Sequence, residues 1–157
     1  MKIAGLQKLT LLDYPGAVAC TVFTPGCGFR CPFCHNAPLV LPERIDGETL
    51  TEEDVLTFLK KRAGILEGVA ITGGEPTVHR ELPLFLEKVR ALGYRIKLDT
   101  NGTDPVMLKA ILDAGLVDRV AMDIKNSPEL YGVTVGIPGF DISPVERSKE
   151  LLLTGSA

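Results

Sequence analysis

The chain has 157 residues, room for one ordinary globular domain around a single core. Its 17 basic and 20 acidic residues leave a net charge of −3 with no block of like charge, which argues against a nucleic-acid or membrane-surface partner. No apolar run reaches the roughly 18 residues that cross a bilayer; the amino-terminal stretch is broken by Gln7, Lys8 and Asp13, so it does not read as a signal peptide and a cytoplasmic protein is expected.

Residues 17–24 (AVACTVFT) read as the first strand, followed by a Gly-, Cys- and Pro-rich loop. Thr51 with Asp54 three residues on predicts a helix N-cap, and Val55, Leu59 and Ala63 fall on one face of that helix. Residues 68–72 (GVAIT) predict the second strand. A helix over residues 80–92 carries Leu82, Phe85, Leu86 and Val89 at core spacing and stops at Gly93. Residues 95–99 (RIKLD) predict the third strand. Asp104 as cap and Pro105 as first residue open a helix that carries Leu108, Ile111 and Leu112 and ends at Gly115. Residues 119–124 (RVAMDI) predict the fourth strand. A loop rich in Gly and Pro follows, and Ser143-Pro144-Val145-Glu146 then predicts a capping box and a last helix to residue 153.

This alternation predicts an α/β fold, a parallel sheet whose strands are joined by right-handed crossovers. The nearly all-apolar strand centres VAI, IKL and VAM suit buried parallel strands. The chemically distinctive residues all follow strands. The cysteine loop follows the first, Gly73-Gly74-Glu75-Pro76 the second, Asp99-Thr100-Asn101-Gly102 closes the third, and Asp123 with Lys125 closes the fourth. In parallel α/β folds ligands bind at the carboxyl ends of the strands, so four separate segments point to one site.

Three of the four cysteines, Cys27, Cys31 and Cys34, lie in a C-x3-C-x2-C run. Disulfides are rare in a reducing cytoplasm, and bridging such near neighbours would close only short loops. Metal or cluster binding is the better reading. Three thiolates can ligate three irons of a cubane cluster and leave the fourth open to a small molecule; a zinc site completed by His35 is the alternative. Cys20 lies mid-strand and reads as a small buried hydrophobe. His35 and His79 are near the site without an assigned role.

CGFRCPFC resembles the cluster motif of the radical S-adenosylmethionine (SAM) superfamily, in which an aromatic residue, here Phe33, precedes the last cysteine. ITGGEP resembles that superfamily's glycine-rich motif. The wider run of LTLLDYPG, FTPGCGFRCPFCHNAPLV, TGGEPT, LDTNG and MDIK is similar to the activating proteins of anaerobic ribonucleoside-triphosphate reductase. The resemblance implies a radical SAM oxidoreductase in which Cys27, Cys31 and Cys34 hold a 4Fe–4S cluster and the open iron takes the amino and carboxylate groups of SAM. It places Phe33 near the adenine, Gly73 and Gly74 close to the ligand backbone-on, and Glu75 against the ligand ammonium. Asp99, Thr100 and Asp123 match an oxygen-rich position where a monovalent cation sits, and Lys125 is a partner for the ligand carboxylate. No catalytic residue is implied beyond these ligands.

The same resemblance implies a glycyl-radical enzyme, the anaerobic ribonucleotide reductase, as partner, and a reducing electron donor such as flavodoxin or ferredoxin. Activation of another glycyl-radical enzyme of the pyruvate formate-lyase type, a radical reaction on a small molecule, and a cluster-bearing electron carrier without turnover are the alternatives. The whole chain, residues 1–157, is expected to be one domain, the amino-terminal part of a partial (β/α) barrel. A complete eight-fold barrel takes about 250 residues, so truncation after four strands and an exposed edge on the fourth are expected.

Overall fold

A computed structural model of the protein describes residues 1–45 and 49–155. Five strands form one sheet in the order of the chain: β1 (Gly5–Thr10), β2 (Ala19–Thr24), β3 (Gly68–Gly73), β4 (Arg95–Thr100) and β5 (Arg119–Met122). From β2 to β5 every pairing is parallel, as the alternation of elements predicts. The helices are α1 (Ala37–Val40), α2 (Glu52–Lys61), α3 (Leu82–Ala91), α4 (Pro105–Asp113), α5 (Pro128–Thr134) and α6 (Ser143–Thr154).

The caps explain where the helices begin. Thr51 and Asp54 form the expected reciprocal capping box on α2, and the Asp104 side chain accepts from the backbone nitrogen of Met107 at 2.8 Å to start α4. Gly93 and Gly115 follow α3 and α4 with φ of +87° and +61°, the left-handed conformation that ends a helix. The core joins Val22, Val69, Ile71, Ile96 and Leu98 from the sheet to Val55, Leu59, Phe85, Leu86, Leu108 and Ile111 from the helices, each fully buried. Burying such side chains is the main source of stability in a domain of this size.

The structure corrects the sequence reading in several places: α1 lies in the loop after the first strand, and the strand expected over residues 119–124 ends at Met122. An additional strand, β1, pairs antiparallel with β2 and makes the sheet five-stranded. Its sequence GLQKLT shows no alternation, and residues 7–9 are exposed. A short helix, α5, lies in what reads as a Gly- and Pro-rich loop; only Tyr131 of it is buried. The expected cap of α6 is also different: Ser143 is already helical, and the Asp141 carboxylate accepts from its backbone nitrogen at 3.0 Å. Finally, Ala63 lies beyond the end of α2 at Lys61.

β5 pairs with β4 alone among the described residues, and Ala121 and Asp123 are exposed. No helix among the described residues is long and apolar enough to cross a membrane.

Candidate active site at the carboxyl ends of the parallel strands

Every residue that the sequence assigns to a cluster or a ligand lines one cavity of about 330 Å³ at the carboxyl ends of β2–β5. That volume is in the range of small-molecule sites. The cysteines enter from the loop after β2, Gly73 to Glu75 from the end of β3, Asp99 and Thr100 from the end of β4, and Asp123 and Lys125 from just past β5.

The three cavity cysteines are unbridged and partly exposed. Their loop is held from a distant part of the chain. Phe29 is 2% exposed and packs edge-on against Phe140 and Tyr131, with ring centres 5.2 and 6.2 Å away. The backbone nitrogen of Arg30 donates to Val135 at 2.8 Å. Burial pushes the Cys27 thiol up, opposed by a hydrogen bond from the Phe29 backbone nitrogen to its sulfur at 3.3 Å; burial likewise raises Cys31, and Lys125 opposes it. Among the described residues no three His, Cys, Asp or Glu side chains close on a single metal ion; the thiols border the cavity. His35 is exposed at its rim, and Phe33 is 52% exposed there.

The β3 loop is packed backbone against backbone on the segment that leads into Cys27. A Cβ on Gly74 would lie 2.0 Å from the Gly26 carbonyl oxygen, and one on Gly73, where φ is +125°, would lie 2.3 Å from the Thr24 nitrogen. Only glycine fits either position. Glu75 is 1% exposed. Its Oε1 accepts from the Thr77 nitrogen (3.1 Å), the Thr77 hydroxyl (2.6 Å) and the Thr100 hydroxyl (2.6 Å), and its Oε2 accepts from the Asn101 nitrogen (2.6 Å). All four donors are neutral, and no salt bridge among the described residues reaches this carboxylate. Burial raises its pKa and the four hydrogen bonds oppose that rise. A buried carboxylate without a countercharge is costly, and a cationic ligand in the cavity relieves that cost.

The remaining predicted residues are engaged with one another. Asp99 pairs with Lys97, and burial raises its pKa against the pull of that lysine. Lys125 Nζ lies 2.7 Å from Asp123; burial lowers its pKa, but the aspartate outweighs this and the net shift is upward. Thr100 donates its hydroxyl to Glu75 Oε1. Cys20 is fully buried, with its thiol pushed up to about 12 by burial, as expected of a small core residue. The ring of His79 donates from Nε2 to the Pro25 carbonyl at 2.6 Å, a link between the two loops.

Four contributors were not legible in the sequence. Asn101 touches both Glu75 and Cys27, the latter through Nδ2 at 3.7 Å from Sγ. Asn36 donates to the Gly73 carbonyl at 3.0 Å, Thr77 supplies two of the donors to Glu75, and Phe29 anchors the cysteine loop. Asn101-Gly102 reads locally as a turn, and nothing in Phe29's immediate neighbours announces Tyr131.

Residues 21–139 match the radical SAM superfamily. The chain belongs to this superfamily. The superfamily's cofactors are a 4Fe–4S cluster and SAM, and the donor set fits both: three free thiols and a buried, uncompensated carboxylate line the same cavity. A Methanocaldococcus jannaschii protein named as a glycyl-radical enzyme activating enzyme is 30% identical over 133 residues, which are 82% of this chain and 52% of that protein. The 7-carboxy-7-deazaguanine synthase of Aquifex aeolicus is 38% identical over 80 residues, 50% of this chain and 33% of that protein. The chain thus spans about half or less of the length of these radical SAM relatives. The crystal structure of QueE from Escherichia coli has the same fold, with a TM-score of 0.57 at 19% identity, over 99% of this chain and 79% of QueE.

Proposed function

We propose that this radical SAM protein is a glycyl-radical enzyme activating enzyme and that its partner is an anaerobic ribonucleotide reductase. The observation that carries the radical SAM chemistry is the meeting of three thiols and the buried Glu75 across one cavity. The activating role is supported by the relative named for it, which matches 82% of the chain.

In this reading Cys27, Cys31 and Cys34 ligate three irons and leave the fourth for SAM. Glu75 Oε2 accepts only one hydrogen bond from the described chain, so it has a lone pair left for the ligand ammonium. Gly73 and Gly74 let the backbone come close to the bound methionyl group. Lys125 exchanges Asp123 for the ligand carboxylate, Asp99, Thr100 and Asp123 supply oxygens for a monovalent cation, and Phe33 covers the adenine. A cluster held there and reduced by a donor such as flavodoxin or ferredoxin would supply the electron for reductive cleavage of SAM, and a glycine of the partner would supply the hydrogen atom.

A second reading, a radical reaction on a small molecule, is favoured by the 38% identity to 7-carboxy-7-deazaguanine synthase over half the chain. One experiment separates the two. Anaerobic reconstitution should give a brown protein with about four irons per chain, and reduction with SAM should release 5′-deoxyadenosine. Adding the reductase should then give a glycyl radical signal in electron paramagnetic resonance. Stoichiometric zinc without visible absorption would overturn the radical SAM role; 5′-deoxyadenosine without any glycyl radical would overturn the activating role alone.

A further inference from the structure

We infer that Asn101 is a positioning residue that joins the two halves of the site and, by donating a hydrogen bond to the Cys27 sulfur, raises the reduction potential of a cluster held there. The inference rests on the cluster reading above.

Asn101 is 6% exposed, just past the carboxyl end of β4, and its backbone nitrogen and side-chain amide are both engaged. Its backbone nitrogen donates to Glu75 Oε2 at 2.6 Å. Its Oδ1 accepts from the Thr103 nitrogen at 3.0 Å and the Thr103 hydroxyl at 2.7 Å. These two donors fix the amide: the flipped form would set its NH2 group against them and leave a carbonyl facing the sulfur. Nδ2 therefore faces Cys27 Sγ, 3.7 Å away.

The turn that holds Asn101 is itself locked. Gly102 has φ of +74°; its nitrogen donates to the Thr100 hydroxyl at 3.1 Å and its carbonyl accepts from the buried Ser148 hydroxyl at 2.7 Å. Asn101 thus stands on a rigid support between the carboxylate and one thiol.

Cys27 is also the cysteine that accepts from the Phe29 nitrogen at 3.3 Å. Among the described residues no side-chain nitrogen reaches the sulfur of Cys31 or Cys34 in the same way. Reduction adds negative charge to a cluster and its thiolates. A donor aimed at a thiolate favours the reduced form, and hydrogen bonds to sulfur are among the factors that set cluster potentials.

The test uses the reconstituted wild-type chain beside Asn101→Asp and Asn101→Ser. Aspartate keeps the shape and the acceptor for Thr103 but replaces the donor with charge. Serine is tolerated in turns and is too short to reach the sulfur. Iron content and the midpoint potential, followed by electron paramagnetic resonance during a reductive titration, are read for each. Both variants are expected to hold wild-type iron and to titrate at more negative potential, Asn101→Asp by the larger shift. Wild-type potential in both loaded variants overturns the inference. So does a variant that keeps the wild-type circular dichroism as apo-protein yet takes up no iron, since Asn101 would then serve assembly. A wild-type chain that holds no cluster at all overturns the cluster reading first, so the two failures are told apart.

Discussion

The two loops that border the cavity are held in different ways. The β3 loop packs on the start of the cysteine loop: its glycines touch the backbone of Thr24 and Gly26, and Glu75 accepts from donors within two residues of itself and from the end of the adjacent strand β4. The cysteine loop keeps its thiols partly exposed and owes its position to Tyr131, Val135 and Phe140, about a hundred residues away in sequence. One loop is a preformed half-site whose geometry follows from the sheet. The other carries the three thiols on a loop held by a remote aromatic brace.

The largest expected effect lies on the cysteine side. Cys27→Ala removes one of the three proposed ligands, and reconstituted protein should lose its visible absorption and all 5′-deoxyadenosine formation; a retained cluster would dissolve the distinction between the loops. Phe29→Ala should cost roughly 3–5 kcal/mol in chemical denaturation, as expected for truncating a buried aromatic, and should lower iron retention more than SAM affinity per cluster. Gly74→Ala attacks the other loop. With its Cβ forced on the Gly26 carbonyl, a loss of roughly 1–3 kcal/mol is expected, with SAM affinity falling more than iron content.

Glu75→Gln is a smaller change of the same loop. Losing a charged hydrogen bond worth roughly 1.5–3 kcal/mol should weaken SAM binding about tenfold or more, measured by equilibrium binding to loaded protein. It also has a pH signature. Burial raises the folded-state pKa of Glu75, so this carboxyl binds its proton more readily folded than unfolded. Its favourable contribution is present below the ordinary glutamate range and is lost as pH rises through the raised value. Wild-type stability should therefore fall relative to Glu75→Gln along that rise, in paired urea titrations; parallel curves would sink this point. Smallest is His79→Ala, which cuts one of the hydrogen bonds between the loops. About 0.5–1.5 kcal/mol is expected, with both iron content and SAM affinity near wild type.

The same contrast governs what could be read from the sequence. β3, β4 and their helices are legible because short apolar runs end in Gly or Asp and because Thr51, Asp54 and Asp104 cap where they stand. Gly73, Gly74 and Glu75 are contiguous, so the local half-site is legible too. β1 is not, because its exposed Gln7, Lys8 and Leu9 leave no period of two. α5 is not, because a seven-residue helix with Gly132 inside and Tyr131 as its one buried residue carries little pattern. The brace under the cysteines and the contacts of Asn101 depend on chain segments that meet only after folding, and no local spacing encodes them.

The fourth cysteine has a practical use. Cys20 lies in the sheet, fully buried, with its thiol pushed up to about 12, whereas Cys27, Cys31 and Cys34 are partly exposed. Thiolates are the reactive form. A maleimide should accordingly count three groups in native apo-protein and four after denaturation. This internal ruler reports the folded fraction of any preparation before iron is added, and so separates a failed reconstitution from a failed fold.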